Sequence, residues 1–527
     1  MMKNIFWIVL FVAGSFQLQA QKAKFEDVLS VQLQNMGPIL ENNLVKGYYM
    51  FYKVDKVDRK SNAYMLRILD ANLKDVAKKK MINTKYTVMT EAVYNGEVFL
   101  FSFLDTRKKI LTLQTYNREM KKLGNLTYQL DKWGMTQYVA SGGSPGNTPE
   151  ASNNRLIFPA DKDGFIRYSM QKNKKVGYTI EYLPNDLKKT GSWKKSSPEG
   201  SKTMFMASHG LSDDKYVIST IISKPKYISN KDVNFELQMI EINSNKEVFR
   251  IPLKSSRYNY SFMNAFMEND EKSIIVFGEF YDSDENIFKG KSNGLYTMRL
   301  DLNGKVIDKV HHAWETKIKR KIKVNKKGRI EDGGYVAFHK IVQSSDGHFY
   351  AVGEMYNKAV SGLGVASQVL SAGRGRGGVS AMKMNVLNLI IFDFNADLTL
   401  DKVKVFEKQK RSIQLPQGYG IYPPTLLVHV IRAMGEFDYS FTQSKKDNSS
   451  FFTTYTSIEK KKGSKKKAYF GIISHTEGDE EYVEDKIDLT TDANNIMVLP
   501  AKPGYVLLVE YFKKKKQLTT RLEKINY

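Results

Sequence analysis

The chain has 527 residues, contains no cysteine and carries 81 Lys and Arg against 56 Asp and Glu, a formal net charge of +25. The absence of cysteine excludes disulfide bonds, thiolate nucleophiles, Cys-ligated metal sites and a lipid anchor on an N-terminal cysteine. The length is enough for several domains or for one large repeat domain.

The first element in chain order is an export signal. Lys3 precedes an apolar run at residues 5–13, and a short segment after it ends at Ala20. This order is typical of a secretory signal peptide, and the run is shorter than the about 20 residues of a membrane-spanning helix. We therefore expect residues 1–20 to be removed and the mature chain to have no transmembrane segment. The expected location is the periplasm, with the cell surface and the medium as alternatives.

The rest of the chain is dominated by strand patterns and by a recurring turn. Tyr and Phe, 30 and 29 in number, occur in short alternating runs with Val, Ile and Thr. The repeat is an apolar strand, a polar residue, a turn that contains Asn, and another strand. Its copies lie at residues 68–74, 115–121, 181–188, 240–246, 299–305 and 392–397. Asn and Gly tolerate the positive φ of tight turns, so each copy predicts a β-hairpin.

A second repeated element precedes two of these turns. Gly278-Glu279 and Gly353-Glu354 occupy the same position in their copies, which indicates a structural role for both glutamates. The turns that follow are 17 residues further apart than the two Gly-Glu pairs. The difference predicts an insertion, a long surface loop within residues 359–385.

Repeats of this size predict an all-β fold, a β-propeller of about seven blades, with six or eight as alternatives. The predicted blades begin near Val45, Thr90, Asn154, Thr203, Phe262, Tyr335 and Leu426. Residues 21–44 are then a lead-in and residues 45–527 the repeat domain. We expect strands within 496–525 to pair with N-terminal strands and close the ring, which removes exposed sheet edges. The alternative is two packed β domains, divided within 191–202 or 314–334.

Turns such as Ser345-Asp346-Gly347 and Asp163-Gly164, each followed by an aromatic residue, give the chain a family resemblance. The chain resembles β-propeller repeats of exported bacterial proteins and the secreted families of unknown function in Gram-negative bacteria. The resemblance covers most of the mature chain. It implies a fold without an activity, because propellers serve as enzymes, lectins and scaffolds alike.

The sequence nominates no catalytic residue, metal ligand or cofactor. His-Glu-x-x-His and Walker A motifs are absent, and the seven histidines show no ligand spacing. The candidate binding residues are cationic. Arg374 and Arg376 belong to a Gly-rich segment predicted as the flexible tip of the insertion. It is not a nucleotide loop, because it lacks the flanking strand and helix.

In residues 316–324, lysines alternate with Ile318, Arg320, Ile322 and Val324. Read as a strand, they place Lys317, Lys319, Lys321 and Lys323 on one face, either to protect a sheet edge or to contact a polyanion. Further lysine runs at 460–462, 465–467 and 513–516 are predicted at hairpin tips.

These features favour an exported, non-catalytic binding protein of the cell envelope. Its predicted partner is a protein, an anionic polysaccharide or lipid headgroups, recognised through basic loops. Nucleic acid is not expected outside the cytoplasm, and the sequence specifies no oligomeric state. The alternative function is a propeller hydrolase or lyase acting on exported polysaccharide.

Overall fold

The computed structural model describes residues 21–525 with internal gaps. The gaps are 42–43, 132–133, 136–137, 139–155, 161, 173–175, 189–190, 197–202, 212–214, 225–233, 245, 286, 288–291, 332, 362–378, 417–419, 421, 423, 434–435, 460–466 and 490. In the described residues, no helix is long and apolar enough to cross a membrane.

Strands of the described chain assemble into eight antiparallel sheets, which we call blades 1 to 8. Blade 1 consists of β2 (Ser30–Glu41), β3 (Leu44–Lys56), β4 (Ser61–Asp70) and β5 (Asp75–Thr84), and blade 2 consists of β6 (Thr87–Tyr94), β7 (Phe99–Asp105), β8 (Ile110–Tyr116) and β9 (Lys122–Gln129). Blade 3 consists of β10 (Ile157–Ala160), β11 (Gly164–Lys172), β12 (Val176–Pro184) and β13 (Gly191–Ser196), and blade 4 consists of β14 (Thr203–Leu211), β15 (Tyr216–Lys224), β16 (Asn234–Glu241) and β17 (Lys246–Pro252).

Blades 5 to 8 continue the same pattern. Blade 5 consists of β18 (Tyr258–Met267), β19 (Ser273–Asp282), β20 (Gly294–Asp301) and β21 (Val306–Ala313), and blade 6 consists of β22 (Tyr335–Gln343), β23 (Phe349–Val360), β24 (Val379–Phe394), β25 (Leu400–Phe406) and β26 (Arg411–Pro416). Blade 7 consists of β27 (Tyr439–Ser444), β28 (Ser450–Glu459), β29 (Lys467–Thr476) and β30 (Val483–Asp488), and blade 8 consists of β31 (Asn495–Pro500), β32 (Tyr505–Phe512), β33 (Gln517–Lys524) and β1 (Lys22–Phe25). A helix, α1 (Pro424–Ala433), lies between blades 6 and 7.

The blades form a closed ring, so the fold is a β-propeller. The first strands of neighbouring blades contact one another, except that β14 of blade 4 contacts β11 and β12 of blade 3. β2 of blade 1 contacts both β6 of blade 2 and β31 of blade 8. The last blade takes its outermost strand from the start of the chain, since Lys22–Phe25 pairs with residues 518–521 of β33. This is the predicted closure by terminal strands.

The blade count matches one of the predicted alternatives, whereas the N-terminal boundary differs from the prediction. The described chain has eight sheets rather than the preferred seven, because the C-terminal strands form a blade of their own. Residues 21–44, predicted as a lead-in, contain β1 and β2 and belong to the ring. Two packed domains divided at 314–334 are excluded, because this segment joins two neighbouring blades.

Predicted blade starts vary in accuracy. Thr203 and Tyr335 are the first residues of β14 and β22, and Thr90 and Phe262 lie inside first strands. Val45 lies in the second strand of blade 1, and Leu426 lies in α1, ahead of the first strand of blade 7. Asn154 lies outside the described residues.

All six predicted turn repeats join a third strand to a fourth strand. In the copies at Asp70 and Asp301, the carboxylate accepts the backbone N–H groups two and four residues later. A residue with positive φ follows in five copies: Leu73, Met120, Leu187, Gly304 and Leu398.

The side chain at the positive-φ position packs between blades. Leu398 is fully buried in the core cluster that blades 5 and 6 share. The Thr297 hydroxyl of blade 5 donates to its carbonyl at 3.1 Å. Burial of a leucine thus offsets the cost of a left-handed backbone, of the order of 1–2 kcal/mol.

Gly278 and Gly353 fit a second recurring distortion. Each lies opposite a β-bulge in the first strand of its blade, where an extra residue interrupts the pairing. A Cβ on Gly278 would lie 1.8 Å from the Ser261 carbonyl oxygen. Gly278 is therefore required because the two backbones approach closely. In blade 6, His339 is the extra residue of the bulge.

The closing strand generates a stability prediction. Phe25 of β1 is 6% exposed, and the Arg67 guanidinium lies 4.6 Å from its ring centroid. Phe25→Ala should lower the free energy of unfolding by about 3–5 kcal/mol, because it leaves a cavity where the ring closes. The exposed neighbour provides a control: Lys24→Ala should change it by less than about 0.5 kcal/mol. Denaturant unfolding measures both, and equal effects would contradict the closure.

Candidate binding face

Antiparallel strands send alternate connections to opposite ends of a blade. One end of the ring carries the connections from second to third strands and the connections from each blade to the next, and we call it the cationic end. The opposite end carries the connections from first to second and from third to fourth strands. At the cationic end the described connections contain more Lys and Arg than Asp and Glu, whereas carboxylates are in excess at the opposite end.

The largest concentration of cations lies in residues 314–334, which run from the outer strand of blade 5 to the inner strand of blade 6. We call this segment the basic connection. Its exposed cations are Lys317, Lys319, Arg320, Lys321, Lys323, Lys326, Lys327 and Arg329. In the described part of the chain, Lys323 pairs with Glu331 at 3.5 Å, and no other cation of this segment lies within 4.0 Å of a carboxylate.

The prediction of a strand over 316–324 is wrong. Residues 318–320 form a 3₁₀ turn, and turns surround it. The apolar residues are anchors instead of one face of a strand: Trp314, Ile318, Val324 and Ile330 are buried in the core that blades 5 and 6 share. The four lysines predicted to share a face are nevertheless all exposed.

Hydrogen bonds fix the start of the basic connection to blade 5. The Trp314 indole N–H donates to the Ser292 hydroxyl at 3.0 Å, and Ser292 donates to Glu279 at 3.0 Å. Tyr281 also donates to this carboxylate, at 2.6 Å. Glu279, singled out by the repeat, therefore has a structural role, and burial raises its pKa.

Close packing fixes the middle of the segment. Gly328 has φ of +74°, and a Cβ there would lie 2.6 Å from the indole of Trp314. Asn325 accepts the backbone N–H groups of Lys327 and Arg329 at 2.9 and 3.0 Å. The cations are thus displayed on an ordered backbone.

Other blades add cations to the same end. The exposed ones are Arg59 and Lys60 in blade 1, Lys85 before blade 2, Arg107, Lys108 and Lys109 in blade 2, Lys254 and Arg257 before blade 5, and Lys513, Lys514, Lys515 and Lys516 in blade 8. The last four occupy the turn between β32 and β33, which confirms the predicted hairpin tip.

The structure does not place the other predicted binding residues. Arg374 and Arg376 lie outside the described residues, as do lysines 460–466. The predicted surface loop is shorter than expected on both sides, because β23 extends to Val360 and β24 begins at Val379.

Sequence reasoning missed a buried charged cluster between blades 6 and 7. Lys408 lies 3.1 Å from Glu354 and 2.5 Å from Asp438. Glu354 accepts the backbone N–H of Tyr439 at 2.9 Å, and the Nε2 atom of His339 lies 3.2 Å from its carboxylate. Its members are up to 99 residues apart in the chain, between His339 and Asp438, so no local pattern could reveal them.

This cluster has the residue types of an active site, but it is buried and connects blade 6 to blade 7. We call it the clamp. The Glu354 and Lys408 side chains are fully buried. Burial opposes ionisation of Glu354, but Lys408 and His339 outweigh it and lower its pKa, whereas burial raises the pKa of Asp438. Glu91 acts similarly between blades 2 and 3, where it accepts the N–H groups of Leu156 and Ile157.

The clamp predicts a strong effect of neutralising its lysine. Lys408→Met should lower the free energy of unfolding by about 3–5 kcal/mol, because it leaves the fully buried Glu354 without its lysine and Asp438 with Arg411 alone as its cation. Lys410→Met, at an exposed position of the same connection, serves as the control and should stay within about 0.5 kcal/mol. Both are measured by denaturant unfolding, and a mild effect at Lys408 would refute the clamp.

A second cluster of titratable groups lies at the opposite end of the blade 6–7 junction. Burial raises the pKa of Asp393 to about 6, although Lys402 at 3.7 Å and His348 at 3.6 Å oppose it. The Tyr350 hydroxyl lies 3.0 Å from Nε2 of His475.

Asp393 predicts a pH dependence of stability. The folded chain binds this proton near pH 6, whereas an unfolded aspartate binds it near about pH 4. Lowering the pH from 8 to 5 should therefore stabilise the folded state through this residue. When the pH is lowered from 8 to 5, the Tm of the wild type should rise more, or fall less, than the Tm of Asp393→Asn. Parallel curves would contradict the raised pKa.

No metal or nucleophile site emerges from the described residues. They contain no group of three or more His, Asp or Glu that could hold a metal ion. Residues 142–146 read Gly-Gly-Ser-Pro-Gly, which matches the nucleophile pattern Gly-x-Ser-x-Gly, and lie outside the described residues. Pro145 has no N–H to serve as the oxyanion donor that follows such a serine.

Comparisons with known proteins identify a family and no activity. The model of a family described as "Family of unknown function (DUF6770)" matches residues 1–526. No curated protein matches.

Solved structures with a similar arrangement differ in function. The chain is similar to prolyl oligopeptidase B from Galerina marginata (8% identity, 92% of this chain and 57% of that chain, TM-score 0.41). It is also similar to the WD40 domain of SCAP from fission yeast (8%, 95% and 98%, 0.36). A third is the PL25 ulvan lyase, a polysaccharide lyase (10%, 82% and 91%, 0.37). The chain thus spans little more than half of the peptidase, and at these TM-scores none bears on function.

Proposed function

The chain belongs to the DUF6770 family of unknown function, and we propose that it is a non-catalytic binding protein of the cell envelope whose cationic end holds an anionic polymer or protein. The observation that carries the proposal is the basic connection. It presents exposed cations on a backbone anchored by four buried apolar side chains, and Lys323 is the one described cation among them with a carboxylate partner.

Anchoring distinguishes this segment from a solvated lysine coat. A backbone that is already fixed loses little conformational freedom when a ligand binds, so only the lysine side chains must be ordered and more of the Coulomb attraction appears as affinity. Their number at one end also concentrates the positive potential there.

The choice of lysine indicates the kind of recognition. Lysine is a flexible point charge, whereas arginine offers a planar fork for bidentate contacts. All eight residues at positions 317, 319, 321, 323 and 513–516 are lysines. We therefore expect recognition of charge density, with strong dependence on salt.

The proposed location rests on the signal pattern of residues 1–20. Its expected cleavage after Ala20 leaves every strand of the ring intact, since β1 begins at Lys22. The backbone carbonyl of Gln21 already accepts the N–H of Leu522. We propose the periplasm as the location, where anionic envelope polymers are available.

The hydrolase or lyase alternative lacks a supporting observation in the described residues. The half-buried carboxylates of Glu91 and Glu279 and the fully buried carboxylate of Glu354 accept hydrogen bonds from neighbouring strands or side chains. None of them is thereby presented to a substrate, so the binding function is the one we propose.

The proposal predicts that the basic connection dominates polyanion binding. Replacing Lys317, Lys319, Lys321 and Lys323 by Ala should weaken binding of mature protein to dextran sulfate by about tenfold or more, since four exposed charges are lost. Raising the salt concentration should shrink this difference. Binding is measured by fluorescence titration at several salt concentrations.

A matched variant removes the same charge from the opposite end. Lys74, Lys121, Lys272 and Lys305 are exposed lysines in its turns, and replacing them by Ala should change the affinity by less than about threefold. Equal losses in the two variants would mean that net charge alone drives binding. Such a result would overturn a binding face at the cationic end.

A further inference from the structure

We propose that the cationic end docks on the surface of an anionic lipid bilayer. This inference rests on the binding face of the proposed function and assigns lipid headgroups to it as the anionic partner, in place of a polymer or protein. Two features of the described residues favour a bilayer over a soluble polymer: the distribution of cations around the ring and the apolar side chains exposed among them.

The cations surround the axis of the ring instead of lining one groove. Blades 1 and 2 contribute Arg59 and Arg107, the basic connection joins blades 5 and 6, and blade 8 contributes residues 513–516. In a closed ring these blades lie on different sides of the axis, and all these connections reach the same end. A linear polymer would contact a few of them, whereas an extended anionic surface engages them together.

Apolar side chains are exposed at the same end. Val57, in the same turn as Arg59 and Lys60, is 49% exposed, and Val360, at the end of the long strand β23, is 65% exposed. Tyr422, ahead of α1, is 41% exposed, and its carbonyl accepts the Lys358 ammonium at 2.9 Å.

These side chains suit the boundary between headgroups and acyl chains. Valine gains from leaving water, and tyrosine combines an apolar ring with a polar tip that favours membrane interfaces. A soluble polyanion offers no apolar layer, so the same side chains would gain nothing from it.

Exposed apolar residues also occur near the opposite end, which supplies a control. Val306 and Ile307 begin β21 and Val483 begins β30, each directly after a turn from the opposite end. They are 42%, 57% and 57% exposed. The carboxylates Asp479, Glu480 and Glu481 precede Val483, so anionic lipid is repelled there.

Vesicle sedimentation tests the inference with mature protein from Gln21 onward. Wild type should bind vesicles of phosphatidylcholine with phosphatidylglycerol and not vesicles of phosphatidylcholine alone. The triple variant Val57→Ser, Val360→Ser and Tyr422→Ser should bind the anionic vesicles about fivefold or more weakly. The control variant Val306→Ser, Ile307→Ser and Val483→Ser should bind like wild type. Circular dichroism and thermal unfolding verify that both variants fold.

Titration with dextran sulfate in parallel separates this inference from the proposed function. Both triple variants should bind the polymer like wild type, because their charges are unchanged. Binding of dextran sulfate without binding of anionic vesicles would overturn the docking on lipid and leave the proposed function standing. Equal vesicle binding by both triple variants would overturn it too, since the bilayer would then act as one more polyanion. Absence of binding to either probe would refute both proposals.

Discussion

Antiparallel pairing of four-stranded blades in a closed ring is the constraint on which the rest of the structure depends. It sends every second connection to the same end, so residues far apart in sequence share one surface. Arg59 and Lys513 lie in different blades, yet both occupy turns from a second to a third strand. The charge asymmetry between the two ends follows from which connections carry lysine and which carry Asp and Asn turns.

Ring closure imposes a second requirement, because neighbouring blades must be held together without disulfides. Apolar clusters shared by two blades supply most of the contact, and Leu398 extends one such cluster from a turn. Carboxylates add further contacts: the fully buried Glu354 and the half-buried Glu91 each accept backbone N–H groups at the start of the following blade. These hydrogen bonds occupy the carboxylate oxygens of Glu354 and Glu91, so both residues are poor candidates for catalysis.

The sequence predicts this architecture where the signal is local and periodic. Asn and Asp turns at a recurring spacing marked all six hairpins correctly, and the strand pattern at Thr203 and Tyr335 located two blade starts to the residue. The preferred count of seven blades is one too low, because the strands within 496–525 were expected to pair with N-terminal strands but were not counted as a blade of their own. The charged cluster at Lys408 was missed because its partners His339, Glu354 and Asp438 are distant in sequence and come together only in the folded blades.

The basic connection shows how one pattern permits two structures. Alternation of lysine and isoleucine at 317–322 is as typical of a strand as of an anchored loop. A signal for the loop was present further on: Val324 and Ile330 flank Asn325 and Gly328, which form a turn incompatible with a continuing strand. The exposure of the lysines was predictable in either case, whereas their fixation by Trp314 was not.

Lysine footprinting of mature protein with and without dextran sulfate shows directly whether the cationic end is the binding face. Acetylation measured by mass spectrometry reports each lysine separately and requires no variant. We expect protection of Lys317, Lys319 and Lys321 and of the lysines at 513–516, with Lys121, Lys272 and Lys305 modified to the same extent as without dextran sulfate. Protection centred on the opposite end, or spread evenly over the outer strands, would contradict a binding face at the cationic end.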